Sequence, residues 1–566
     1  MNRITNDILS YQGRNINMEK KLVGIIIGML MIAASVPTVI SLASNEIISC
    51  DPSTPQTNMK TGWTEKQKIL ASDGAADDRF GVSVAIDSSD AILGAYFDDV
   101  SGSSNAGSAY VFTYSGGTWT QQAKLTAADY ASDDEFGYSV SISGDYAIVG
   151  AHYNDDNGTS SGCAYIFKRT GTAWAQQAKL CAGDAAASDK FGQSVDIDGD
   201  YAIVGASGKS SNQGFAYIFI RSGTTWSQQA KVGATGSMYL GYSVSISGDT
   251  VLMGAYGTNS NTGTAHIYQR VGTSWNLKAK LTSSDGLTAD YFGSSVSIDK
   301  DYIIVGAPGH DLSVGGEGAA YIFEKPSTGW ADATETVELT ASDANSGDNF
   351  GMQVSIAGNY SVVASTDDDD SGTDSGSAYI YKKIGTSWSQ QAKLVPSDGA
   401  TYDYFGWSVS IKDTNVLVGA YADDNTNGVD AGSAYVFGYV NQPPSTPSIS
   451  GTTNGKVGTT YPYTFTSTDP DGDNVFYFVD WGDSTTSGWL GPYPSDVQQS
   501  ASHSWTQKNT YMIKVKAKDT WGAESGWGTL SVTMPNIYKI PFIHFWERLF
   551  ERFPDAFPFL RFLLGL

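Results

Sequence analysis

From residue 62 to residue 440 the chain alternates apolar with small or polar side chains in short runs broken by Gly, Asp, Ser and Thr. One stretch reads FGYSVSI from Phe136, the turn SGD, DYAIVGA, a loop ending in Gly, CAYIFKR, the turn TGT and AWAQQAKL. A period of two places alternate side chains on opposite faces, so this stretch predicts four short strands joined by tight turns. The stretch recurs. Phe-Gly stands at Phe80, Phe136, Phe191, Phe292, Phe350 and Phe405, with Leu240-Gly241 as a variant, giving seven copies 49 to 58 residues apart. Thirteen residues after each Gly comes Gly94, Gly150, Gly205, Gly254, Gly306 or Gly419, each followed by Ala; the sixth copy has Ala364-Ser365. A third strand starts near Ala109, Ala164, Ala216, Ala265, Ala320, Ala378 and Ala434, and a Trp-led strand closes the unit.

Seven four-stranded units predict an all-β fold, a seven-bladed β-propeller over 62–440 that hides its sheet edges by radial closure. An open solenoid is the alternative, and the ends of the repeat argue against it. The first Trp-led strand, Trp63 to Leu70, precedes the first Phe-Gly pair, whereas nothing of the kind follows the last Ala434-Tyr435-Val436-Phe437. The N-terminal strand is thus expected to complete the last blade as a clasp.

These motifs resemble the FG-GAP repeats of integrin α-subunit propellers and of related bacterial and archaeal surface proteins. The resemblance implies a binding or adhesion role at a surface. Many such repeats carry a DxDxDG calcium loop between the two motifs; here that interval holds only turns such as Ser143-Gly144-Asp145 and Asp198-Gly199-Asp200, so those calcium sites do not carry over. Residues 441–448, NQPPSTPS, read as a Pro-rich linker, and 449–534 as a β-sandwich. In the latter, Trp481-Gly482-Asp483 and the strand ending at Asp519 resemble a PKD-type immunoglobulin-like domain. Asp469, Asp471 and Asp473 are candidate calcium ligands there, against the plainer reading of an Asx-rich turn.

Both ends of the chain differ from this body. Lys20 and Lys21 precede an apolar stretch, then Ser41-Leu42-Ala43. Residues 1–43 read as a signal peptide cleaved between Ala43 and Ser44, or as an uncleaved N-terminal anchor. Residues 536–566 form an aromatic amphipathic tail in which Phe542, Phe545, Trp546, Leu549, Phe550 and Phe553 share one helical face. Three roles fit it: docking on the sandwich, membrane or cell-envelope contact, and a sorting signal. The expected location is extracellular or cell-surface. That setting allows a disulfide between Cys163 and Cys181, which flank one hairpin.

Charge then narrows the function. The 566 residues carry 34 Lys and Arg against 59 Asp and Glu, a net −25. Such a surface repels nucleic acid. Five histidines fall at unrelated places, and none sits in a nucleophile or metal motif. The chain reads as a non-catalytic binding protein for a protein or glycan ligand. A structural envelope component is the second reading, and a polysaccharide lyase or hydrolase the third. The fold requires no cofactor; calcium is the ion its acidic loops would accept. In up-and-down blades the loop leading into each Phe-Gly strand shares a face with the loop between the second and third strands. Those loops carry 29 acids against Arg79, Lys190 and Lys209. The candidate binding face is Asp98, Asp99, Asp155, Asp156, Asp367, Asp368, Asp369, Asp370, Asp423 and Asp424.

Overall fold

The computed structural model describes residues 62–312, 315–535, 548–549 and 551–552. The segment 1–43 with Ala43 and Ser44 lies outside the described residues. So does the tail 536–566, apart from Arg548, Leu549, Glu551 and Arg552, which are helical.

Seven four-stranded antiparallel sheets follow the seven Phe-Gly copies. In blade 1 the strands run Phe80–Asp87, Asp90–Ala95, Ser108–Ser115 and Thr118–Leu125, from the axis outward. The second and third strands are buried almost throughout, because each blade packs between two neighbours. In blade 7 the outermost strand is the N-terminal Trp63–Ile69, in register from Trp63 opposite Tyr439 to Ile69 opposite Ala434. The clasp forms as the sequence predicts.

The inner strands hand polar contacts around the ring. Ser83, Ser139 and Ser194 donate to the carbonyls of Gly137, Gly192 and Gly241 of the next blade, at 2.7–2.9 Å. Ser408 of blade 7 donates to Gly81 of blade 1 at 2.7 Å, which closes the circle. At Gly94, Gly150, Gly205 and Gly419 a Cβ would lie 1.8–2.0 Å from the same carbonyls. The Gly of each Gly-Ala pair thus permits the next blade to approach. Valine and isoleucine recur on all seven inner strands, Val84 and Ile86 in blade 1 and Val409 and Ile411 in blade 7. They line an axial channel of about 1200 Å³.

Residues 448–533 form a three-stranded and a four-stranded sheet. Their core holds Tyr463, Phe465, Tyr477, Trp481, Trp505 and Ile513. Ser448 already belongs to the strand Ser448–Gly451, so the linker is one residue shorter than the Pro-rich composition suggests. Thr520 and Trp521 of this part reach the channel at the end where the inner-strand turns lie. Lys382 of blade 6 meets Asp473 there at 3.2 Å.

Candidate functional site

The leading loops and the second-to-third-strand loops do share one end of the propeller, opposite those turns. What they build there differs from a bare acidic face. In blade 1, Lys124 near the end of the outer strand reaches Asp73 of the leading loop at 2.7 Å and Asp98 at 2.9 Å. Tyr110, opposite Lys124 in the register, lies beneath the ammonium. Lys68 does the same for Asp398 and Asp423, and Lys393 for Asp343, Asp368 and Asp370. Lys179 joins Asp129 to Asp156, and Lys231 pairs with Asp184. Burial works against ionisation of Asp73, Asp129 and Asp398, but the lysine bonds and charges hold all three below the usual carboxylate range.

Five lysines therefore stand among acids that the sequence left almost unopposed. The rest of the candidate face is spent on backbone. Asp99, Asp155, Asp369 and Asp424 accept the N–H of Asn105, Ser160, Asp374 and Asp430 at 2.6–2.9 Å. Asp367 takes the amide of Asn349. Asp98, Asp368 and Asp423 are buried. All ten residues have internal partners, so this face is less free, and less charged, than loop counting implies. The second regular aspartate, two before each Phe, is also structural. Asp78, Asp134, Asp189, Asp290, Asp348 and Asp403 accept the N–H three residues earlier at 2.6–2.9 Å. Burial, opposed by that bond and reinforced by a nearby aspartate, pushes Asp78, Asp348 and Asp403 up to about 6.

Nearer the axis the same end is aromatic, which the loop reading missed. The residues after Phe-Gly and after Gly-Ala, and those just before Phe-Gly, supply it. Tyr404, Trp407 and Tyr421 cluster in blade 7, with the Arg79 guanidinium over Tyr421. Tyr96, Tyr138, His152 and Tyr153 continue the arc through blades 1 and 2, ring to ring at 4.0–5.8 Å. Tyr239, Tyr242, Tyr256 and Tyr291 form a second group. All are half-buried except His152, which is buried. Glu135 lies among them, 3.6 Å from His152. Burial, with Asp133 adding and Lys190 opposing, raises Glu135 to about 7, and burial with Lys190 lowers His152 to about 3. The sequence signal was present but partial: three of the seven aligned copies place Tyr or Trp, at Tyr138, Tyr242 and Trp407, immediately after the motif glycine.

In the sandwich Asp469 Oδ1 accepts the N–H of Asp471 and Asp473, which is the Asx turn. Its Oδ2 is buried without a hydrogen-bond partner among the described residues, as are Asp473 Oδ2 and Asn441 Oδ1. Asp471 accepts the N–H of Gln442 at 2.6 Å, and Asn441 donates to Asp519 at 2.7 Å. Cys163 and Cys181 are joined by a disulfide, their Cα atoms 4.6 Å apart.

The fold and this end of it define a class: a clasped seven-bladed propeller with tied loops around an aromatic mouth. Residues 63–112, 119–167, 174–219, 226–268, 275–323, 333–381 and 388–437 match the FG-GAP repeat family, and the protein belongs to that family. Six of the seven matched units start on the Trp of a Trp-led strand. Curated proteins offer no match. Among solved structures the chain is similar to the PKD domain of an M14-like peptidase from Thermoplasmatales archaeon SCGC AB-540-F20. Identity is 52%, over 17% of this chain and 100% of that one, with a TM-score of 0.17. It also aligns with Escherichia coli alpha-2-macroglobulin activated by porcine elastase, at 7% identity, over 75% of this chain and 39% of that one, TM-score 0.13. No helix among the described residues is long and apolar enough to cross a membrane.

Proposed function

We propose that this is a non-catalytic binding or adhesion protein of the cell surface or extracellular space, with its ligand seated at the aromatic mouth of the propeller. The observation that carries this is the arc from Tyr404 through Tyr421 and Tyr96 to Tyr153, half-buried rings on loops fixed by the lysine ties. Aromatic rings held rigid give contact area at low entropic cost and stack on sugar faces or cations. The disulfide supports an oxidising compartment. Replacing Tyr138, Tyr242, Trp407 and Tyr421 with Ala and probing a glycan and matrix-protein array tests it. Loss of capture is expected. Capture unchanged by the four substitutions would move the site elsewhere, and no capture by the parent protein would favour a structural envelope role.

The sandwich is read as a PKD-type module that takes calcium. Three buried oxygens without hydrogen-bond partners among the described residues, on Asp469, Asp473 and Asn441, support this, because calcium collects six to eight such ligands. Calcium would then stiffen the joint between sandwich and propeller. Calcium should raise the melting midpoint of the sandwich, and Asp469→Asn with Asp473→Asn should abolish the rise. An equal rise in that variant would refute the site.

A further inference from the structure

The seven copies are controls for one another, and blade 5 breaks their rule. At the outer-strand position opposite the third-strand aromatic, six blades have Lys68, Lys124, Lys179, Lys231, Lys280 and Lys393. Blade 5 has Glu338, opposite Tyr321 in the same register. At the fourth residue after the Gly of the Gly-Ala pair, where blades 1 and 7 have Asp98 and Asp423, blade 5 has His310. The leading-loop aspartate, Asp285, is kept. The cation that joins two carboxylates elsewhere is therefore replaced by a carboxylate, with an imidazole facing both. Ligand atoms of Asp285, His310 and Glu338 lie within 4.8 Å of one another.

We propose that blade 5 carries a site for a divalent transition-metal ion of the zinc class, held by Asp285, His310 and Glu338. His310 is 4% exposed, and its Nε2 has no hydrogen bond among the described residues. That nitrogen faces Asp285 at 3.6 Å and Glu338 at 3.8 Å. Ligands about 2.0–2.2 Å from a tetrahedral ion are about 3.3–3.6 Å apart, so the imidazole needs little contraction toward either carboxylate, and the two carboxylates, within 4.8 Å of each other, close by at most about 1.5 Å. The other ring nitrogen is committed: Nδ1 lies 3.1 Å from the carboxylate of Asp290, which is buried and fixed by the Leu287 N–H at 2.7 Å. A carboxylate behind a histidine orients a metal ligand in this way. Tyr321 donates to Asp285 Oδ1 at 3.1 Å and leaves Oδ2 toward the imidazole. Asp285 and Glu338 are exposed, which gives an ion a way in and leaves a fourth position for water. An imidazole ligand suits zinc-class ions, whereas calcium and magnesium take oxygen.

The test uses the full chain stripped with chelator and titrated with Zn²⁺ against a chromophoric competitor, beside His310→Ala and Glu338→Lys. Glu338→Lys restores the residue of the other six blades, and its melting midpoint in chelator reports whether the fold is kept. The parent should take up one equivalent more than either variant, undiminished by excess Ca²⁺. Zn²⁺ should raise its melting midpoint and leave that of Glu338→Lys in place. Equal uptake by all three proteins, or no uptake by the parent, overturns the proposal.

Discussion

A single lysine decides whether the neighbouring aspartates face solvent or hold loops together. Lys393 touches Asp343, Asp368 and Asp370, and Asp368 is buried. Removing one partner of a buried ion pair leaves a charge without compensation and costs about 3–5 kcal/mol. The part-exposed Asp343 and Asp370 argue for the low end of that range. Lys393→Ala should therefore lower stability by about 3 kcal/mol. Lys280→Ala, in the blade without loop acids, should change it by less than about 0.5 kcal/mol. Equal losses in chemical denaturation would mean that the ties are not what stabilises the loops. Little of this was legible along the chain. Asp73 and Lys124 are 51 residues apart and meet only because the outer strand returns to the end where the leading loop starts. Counting charges by loop sees the acids and misses lysines contributed by strands. The aromatic mouth was hidden for a related reason: its rings sit within two residues of the motif pairs, at the ends of strands that read as core.

Elements carry the ring by repetition, and one position shows how tolerant that repetition is. The N–H groups of Ile298, Ile356, Ile411 and Ile86 donate to Ser245, Ser297, Ser355 and Ser410 of the preceding blade at 3.2–3.3 Å. Asp196 takes that place in blade 3. It accepts from Ser141, Ser245 and the N–H groups of Ile197 and Ile246 at 2.7–3.1 Å, while burial raises its affinity for a proton. Asp196→Ala should cost about 1–3 kcal/mol by stranding the Ile246 N–H, whereas Ser355→Ala should cost about 1 kcal/mol. Denaturant midpoints with unchanged slopes would check both. The clasp strand invites a harsher test. Deleting 62–70 would open the edge of Ser433–Tyr439 and strip Lys68 from buried Asp423. The whole propeller should then melt earlier, and an unchanged midpoint would show that the ring does not depend on it. The disulfide spans the hairpin of blade 2, where Ala164 faces Leu180 and so sets Cys163 beside Cys181. Thiol titration of the unfolded, unreduced protein should find neither cysteine free. At this scale the sequence was a good guide, because seven copies of one pattern fix strand order and register together.

For the whole molecule, the two kinds of aspartate predict opposite responses to acid. Asp78, Asp348 and Asp403 ionise near 6 when folded, against 3.8 for the ordinary side chain. Between those values the folded chain holds protons that the unfolded chain has lost. Stability should therefore rise as pH falls from about 7 to about 5. Glu135, at about 7 against 4.5, acts in the same direction, whereas His152 and His266, held down to about 3 and about 4 by burial against 6.5, oppose it in part as pH falls through that value. Asp73, Asp129, Asp184 and Asp398 lie below 3.8 because lysines favour their charged form over the cost of burial. Their contribution is complete above that value and is lost as pH falls below about 4. The melting midpoint should thus peak between about pH 4 and pH 5 and fall on both sides. Relief of repulsion in a chain of net −25 would also raise stability on acidification, so the cause has to be separated. Asp78→Asn, Asp348→Asn and Asp403→Asn together keep an acceptor for the turn N–H groups while removing the titration. That variant should be more stable than the parent at neutral pH and should climb less steeply than the parent between about pH 7 and pH 5, Glu135 and the net charge supplying the rise that remains. If its midpoint climbs on acidification as steeply as the parent's, the rise belongs to the net charge and not to these three buried carboxyls.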